Sequence, residues 1–341
     1  MCVWVGCIAK KPCASSLADA LEKIEGIWAG YYTGIVTVDG GKLHHAKCAG
    51  CVSEWRRRFR ASDIPGCSGL MHSRTNSGGG DNRAHPYMAA HGKVGVVGQG
   101  SLRCFEHLLG RYVEIGNTLA DGRIFNSSEA CCDKWNIHLK DGQTPSLSDI
   151  VSNAIEREYE KTGDPIGSMR KVGSEILEEA ATMVLFHDRP GEIGFINMNQ
   201  HMVYNFTDDG AFLSITSLAL PGGYGAEIPG NTVGIITGDT IKMEALSETL
   251  TINPFLPKGI CRAVMNYLKE KPRALWGTVC NEAIAPLFPN KGLEYQAVAA
   301  YRALEELRNN GCIRFDVEDS VGCSGQKGRI FKYSLSDHAG I

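Results

Sequence analysis

Apolar and polar positions alternate over residues 3–8, and Leu17, Leu21 and Ile24 then recur at helical spacing behind Ser16, so the chain is predicted to open strand then helix. The β-branched run 34–38 leads through Asp39-Gly40-Gly41 into 42–45, which predicts a hairpin. Further strands are expected at 69–73, 93–97, 183–187, 193–198, 211–217 and 232–237, and helices at 146–160 and 173–182, parted by Thr162-Gly163-Asp164-Pro165. Two prolines in Asn253-Pro254-Phe255-Leu256-Pro257 interrupt this pattern and set an expected domain boundary, 1–252 before it and 253–341 after. Beyond it the periodicity predicts helices at 258–270, 274–288 and 293–309. Two strands, 313–317 and 331–335, follow around a tip carrying Gly322, Gly325 and Gly328. Three helices and a two-stranded wing resemble a winged helix.

Composition narrows the class. Of 341 residues 43% are apolar and 21% charged, an ordinary globular balance, and the 40 glycines are scattered without a period. Net charge is −3, with residues 251–341 holding 12 Lys and Arg against 9 Asp and Glu (+3) and the remainder 23 against 29 (−6), so no whole-chain field points to nucleic acid or a membrane. Thirteen cysteines, with Cys131 beside Cys132, fit reduced thiols and a cytoplasmic setting. No apolar run reaches the ~18 residues of a membrane span, and the chain opens without a charged leader, so the mature N-terminus is expected at Met1 or Cys2.

Candidate chemistry starts at Cys2. Removal of Met1 would give this residue a free α-amine of pKa near 7.7–8.0 beside its own thiol, so that base and nucleophile share one residue. Arg74, within Met71-His72-Ser73-Arg74-Thr75-Asn76-Ser77 and three glycines, offers a bidentate fork for a carboxylate, and Ser77 a further hydrogen bond. In Gly98-Gln99-Gly100, at a strand end, a side-chain amide and a backbone N–H can form an oxyanion hole. Cys48-Ala49-Gly50-Cys51 has zinc-ligand spacing but lacks a second such pair, and the triple glycine lacks the Lys-Ser/Thr ending of a phosphate loop. No metal and no cofactor is implied.

These pieces in this order resemble the class II, N-terminal-nucleophile glutamine amidotransferases, nearest to the glutaminase domain of glucosamine-6-phosphate synthase. Met1-Cys2-Val3-Trp4-Val5-Gly6 is similar to the family's Met-Cys-Gly-Ile-Val-Gly. His72–Gly79 resembles its His-Thr-Arg-Trp-Ala-Thr-His-Gly, and Arg83-Ala84-His85-Pro86-Tyr87 its Asn-Ala-His-Pro-His. The likeness covers roughly residues 2–240 and implies an α+β, four-layer αββα fold. It also implies Cys2 as nucleophile, Gln99 and Gly100 at the oxyanion, Arg74 on the substrate carboxylate, and Ser77, His72 and His85 lining the site. Departures accompany it. Gln99 replaces an asparagine one methylene shorter. The acid for the substrate amine falls at Glu129, with Asp133 beside it, in Asn126-Ser127-Ser128-Glu129. Trp28–Gly34 replaces Arg-Gly-Tyr-Asp-Ser-Ala-Gly without its arginine and aspartate.

Two functions follow. In one, Cys2 hydrolyses the side-chain amide of glutamine or a related compound and releases ammonia. In the other, a catalytically weak pocket senses an amino-acid-like ligand and signals to DNA or a protein through residues 293–335, with Arg302, Arg308, Lys327, Arg329 and Lys332 as contacts.

Overall fold

The computed structural model describes residues 2–101, 109–119, 125–127, 137–176, 179–248, 256–289 and 296–337. In chain order the elements of the larger part are β1 (Val3–Ala9), α1 (Ala14–Glu22), β2 (Tyr32–Asp39), β3 (Lys42–Ala49), α2 (Val52–Arg58), β4 (Ser68–Arg74), β5 (Tyr87–Met88), β6 (Val94–Ser101), α3 (Leu109–Leu119), α4 (Leu147–Thr162), α5 (Pro165–Glu175), β7 (Glu179–Phe186), β8 (Ile193–Met198), β9 (Val203–Thr207), β10 (Gly210–Ser214), β11 (Ala226–Glu227), β12 (Thr232–Ile236) and β13 (Ile241–Ala245). There follow α6 (Ile260–Glu270), β14 (Ala274–Leu275), α7 (Trp276–Val279) running into a π-helical turn (Cys280–Ile284), α8 (Gln296–Asn309), β15 (Ile313–Val321) and β16 (Lys327–Leu335).

Local chemistry accounts for the boundaries. Gly40 (φ 55°) and Gly41 (φ 74°) both take positive φ, as a two-residue turn matched to strand twist requires, and join β2 to β3. Ser146 caps α4 by accepting from the Asp149 N–H at 3.3 Å, and Gly163 (φ 66°) closes it in the left-handed conformation before Pro165 starts α5. The expected helix over 173–182 is not formed: α5 stops at Glu175 and Glu179–Phe186 is a central strand between β6 and β8. A run of apolar residues buried on both faces carries no period that separates strand from helix. The expected helix 274–288 is likewise divided, because Ala274 and Leu275 pair with Tyr333 and Lys332 as a short strand before α7 begins. The expected strand 211–217 ends at Ser214, since Thr216 caps a turn by accepting from the Leu218 N–H.

Two sheets form the centre: one of seven strands in the order β11-β9-β10-β1-β4-β2-β3, the other of six, β13-β12-β8-β7-β6-β5. β1, β2 and β4 face β6 and β7 across an apolar layer that includes Trp4, Val36, Leu70, Val97, Met183 and Phe195. On the outer side, α1 and α2 cover the first sheet, and α4 and α5, with α3 on α4, cover the second. The result is the α+β, four-layer αββα arrangement. The last strand of the second sheet ends at Ala245 and α6 starts at Ile260, so the expected boundary at 252 falls outside the described residues.

The C-terminal elements build a three-stranded sheet, β14-β16-β15, against α6, α7 and α8. This unit is seated on the N-terminal part. Arg329 N–H donates to Gly30 O at 3.1 Å and Cys51 N–H to Lys327 O at 3.1 Å, while the Phe331 ring fills the space a Cβ would need at Gly26. Arg329 Nη1 lies 2.6 Å from Glu22 and 3.4 Å from Glu25, whose own carboxylate is fully buried and accepts from Val52 N–H at 2.8 Å. On α8, Glu305 accepts from Thr216 Oγ1 (2.7 Å), Ser217 N–H (2.6 Å) and His201 Nε2 (3.1 Å). Among the described residues no helix is long and apolar enough to cross a membrane.

Candidate active site

Strand register assembles the site. β1 and β4 run antiparallel with Val3 opposite Ser73 and Trp4 opposite His72, so one step further along sets Cys2 opposite Arg74. β2 flanks β4 on its other side with Tyr32 opposite Arg74 and Gly34 opposite His72. Directly opposed residues share a face and faces alternate along a strand, so Cys2, Trp4, His72, Arg74 and Tyr32 project together toward the second sheet. Cys2 itself is half-buried at the head of β1.

The second sheet is fixed to this face by two histidines. His72 Nε2 donates to Gly98 O at 3.0 Å, and Gly98 N–H donates to His85 Nδ1 at 3.3 Å, the two imidazoles stacking with centroids 3.9 Å apart. Burial holds both rings neutral: His72 is lowered to about 3 and His85 well below its usual range, with Arg74 adding to both. Gly34 lacks a side chain where the His85 carbonyl passes, 2.1 Å from where a Cβ would stand. His72 and His85, expected to line the ligand, both bond the Gly98 backbone and so brace β6 against the first sheet.

Two residues past Gly98, β6 delivers Gly100, and between them Gln99. Gln99 is 6% exposed, and its Nε2 donates to Gln200 Oε1 at 2.9 Å, leaving a second N–H on the same nitrogen; its Oε1 is buried without a hydrogen-bond partner. Gln200 is fixed in turn, its own N–H donating to Asn197 Oδ1 at 3.1 Å. Gln200 was not a sequence candidate; the cluster Asn197-Met198-Asn199-Gln200-His201 after a strand is the signal that marks it. Gly100, paired with Ala180, is exposed at the open end of β6.

Arg74 is nearly buried, donates to Gly78 O at 3.0 Å and lies 5.1 Å over the Tyr32 ring. The polar segment after β4 thus wraps around its guanidinium. Ser77 is half-buried, with its N–H on Thr75 O at 3.0 Å. Asn76 Oδ1 accepts from Cys323 N–H at 2.7 Å, which brings the tip between β15 and β16 onto this segment. Glu129 and Asp133 lie outside the described residues.

The remaining sequence candidates go elsewhere. Burial pushes the Cys48 thiol up to about 12, and Cys51 is buried with its Sγ 3.2 Å from Ser53 Oγ. His91, Glu156 and Glu160 bring ligand atoms within 4.8 Å of one another, yet Glu156 already accepts the N–H groups of His91 and Lys93 and Glu160 the Lys93 ammonium. Four of the five basic residues named as contacts in the C-terminal unit are engaged within the chain, Arg329 on Glu22 as described above. Arg302 Nε donates to Glu227 at 2.7 Å, Arg308 lies 4.2 Å over Phe315, and Lys327 is 3.6 Å from Asp319. Inward on α8, Tyr301 is fully buried, stacked on His201 (5.7 Å, 18°) and edge-on to Trp28 (6.3 Å).

No family model matches the chain. It is 26% identical over 291 residues to a glutamine–fructose-6-phosphate aminotransferase (isomerizing) of Pyrococcus horikoshii, an alignment covering 81% of this chain and 44% of that one. To the same-named protein of Rhizobium leguminosarum it is 22% identical over 223 residues, 64% of this chain and 32% of that one. The chain therefore spans less than half the length of these curated relatives. Among solved structures, the glutamine phosphoribosylpyrophosphate amidotransferase of B. subtilis superposes with TM-score 0.59 at 14% identity, over 93% of this chain and 66% of that one. A structure titled as the allosteric regulatory enzyme of purine biosynthesis gives 0.57 at 15% identity, over 89% and 63%. In sequence the chain is thus similar to glutamine–fructose-6-phosphate aminotransferases, and in fold to glutamine amidotransferases.

Proposed function

We propose that this protein hydrolyses the side-chain amide of glutamine, or of a close relative of it, with Cys2 as nucleophile. The observation that carries the reading is the convergence on one face of a half-buried Cys2, the Arg74 guanidinium opposite it and the Gln99 amide held by Gln200. Arg74 receives the substrate carboxylate. With Met1 removed, the α-amine of Cys2 takes the thiol proton, sulfur attacks the amide carbon, and the oxyanion is met by the second Gln99 N–H and the Gly100 N–H. Collapse expels ammonia and leaves a thioester, which water cleaves. The likeness to glutamine-dependent aminotransferases and amidotransferases supports glutamine as donor.

The helix–strand–helix–helix–strand–strand order after residue 256 supports the winged-helix reading, and we read this unit as part of the enzyme. Its Arg302 and Arg329 are paired with Glu227 and Glu22 of the same chain, which disfavours DNA as the partner. The test is intact and peptide mass spectrometry with and without an electrophilic glutamine analogue, beside an ammonia-release assay. Loss of Met1, one adduct on Cys2 and ammonia from glutamine are expected. An unmodified Cys2 would refute the reading.

A further inference from the structure

The β15–β16 hairpin of the C-terminal unit reaches the segment that presents Arg74 at three successive points. At the first, β16 lies backbone against backbone on Gly30: Arg329 N–H donates to Gly30 O at 3.1 Å, and a Cβ on Gly30 would stand 2.2 Å from Arg329 O. Gly30 N–H in turn donates to the buried Ser73 Oγ at 2.9 Å. At the second, the Tyr31 ring fills the space beside Gly328, 2.4 Å from where a Cβ would be, and its hydroxyl lies 3.0 Å from Ser320 Oγ. Tyr31 N–H donates to Arg74 O at 3.2 Å. At the third, Cys323 N–H donates to Asn76 Oδ1 at 2.7 Å. One hairpin thus bears on residues 73, 74 and 76.

These contacts fall where the sheet stops holding the chain. β4 ends at Arg74, so residues 75–78 run on beyond its ladders, and the Gly78 carbonyl of this stretch takes the Arg74 guanidinium at 3.0 Å. A guanidinium recognises a carboxylate through two parallel N–H bonds, a geometry that tolerates little rotation of the fork. Where the 75–78 stretch lies therefore sets where the fork points.

Resting on the reading of Arg74 as the receiver of the substrate carboxylate, we infer that the β15–β16 hairpin is a positioning element for that fork, with Asn76 the positioning residue through which its tip acts. Affinity for the amino-acid end of the substrate is then built by both units, while attack at the amide is left to the first.

The test is Asn76→Ala in the full chain, which deletes the tip bond at an exposed residue, beside Gly328→Ala, whose methyl meets the Tyr31 ring. Three quantities are read: KM and kcat for glutamine, and the rate of Cys2 alkylation by iodoacetamide, which carries no carboxylate. A rise in KM of about three- to tenfold is expected for Asn76→Ala, as for one lost hydrogen bond, with kcat and alkylation within about twofold of wild type. Gly328→Ala should move KM in the same direction. An unchanged KM in Asn76→Ala would overturn the assignment, as would kcat and alkylation falling together with the rise in KM. Arg74→Gln tests the reading underneath: a KM that it leaves unchanged, or wild-type protein that releases no ammonia from glutamine, would overturn that reading and the assignment with it.

Discussion

The pairing of Gln99 with Gln200 makes a quantitative prediction about the oxyanion. Gln99→Ala removes the side-chain donor, and loss of one such donor lowers kcat by ~10²–10³, equivalent to about 3–4 kcal/mol of transition-state stabilisation. Gln200→Ala leaves the donor in place but frees it from the 2.9 Å bond that aims it, so the expected loss is smaller, roughly tenfold. Because Gln200 acts only through Gln99, the double variant should be no slower than Gln99→Ala alone, whereas independent contributions would multiply. Truncating Gln99 also strands the buried Gln200 carbonyl, at about 1–3 kcal/mol, which the denaturant midpoint registers separately from turnover. The assay is ammonia release under saturating glutamine, with KM determined for each variant. A Gln99→Ala enzyme within threefold of wild type in kcat, or a double variant slowed by the product of the single losses, would refute this account.

His72 should shape acid stability. Its folded pKa of about 3 lies below the ~6.5 of a free imidazole, so the unfolded chain takes up a proton that the folded one refuses. Its contribution is complete above pH ~6.5 and is lost as pH falls toward 3, at up to about 1.4 kcal/mol per unit. Denaturant midpoints of His72→Gln between pH 7 and 4 should therefore fall less steeply than those of wild type, and parallel curves would count against the buried neutral ring. Gly34→Ala should lower Tm and turnover together, because the added methyl meets the His85 carbonyl at 2.1 Å and Lys47 Cβ at 2.6 Å and displaces the support of β6. An unshifted Tm would contradict that contact.

What the sequence revealed follows how local each signal is. Cys2, Arg74 and Gln99 came forward as candidates because their chemistry is written in short segments at strand ends, and strand register sets Cys2 opposite Arg74. The place of His72 and His85 was not legible, since the motif names the residues while their bonds to Gly98 depend on how two sheets meet. Gln200 lies 101 residues from the side chain it orients, so no local pattern joins them. Strand β7 was misread because burial on both faces erases its period. In the C-terminal unit the basic residues were visible as charges, but only the fold shows Arg302 turned onto Glu227 and Arg329 onto Glu22.

The strand order of the first sheet bears on how the molecule comes into being. β1 lies between β4 and β10, so the strand that begins beside Cys2 acquires its second neighbour only after residue 214 has been made. Its first neighbour, β4, is pinned across the sheets to Gly98, and Gly100 is laid in register by Ala180. Such distant pairings form late, since loop closure must precede them. A nascent chain of a hundred residues would thus carry its thiol on a strand with only one of its two neighbours, and reactivity at Cys2 would report that synthesis and collapse of the whole first unit are complete.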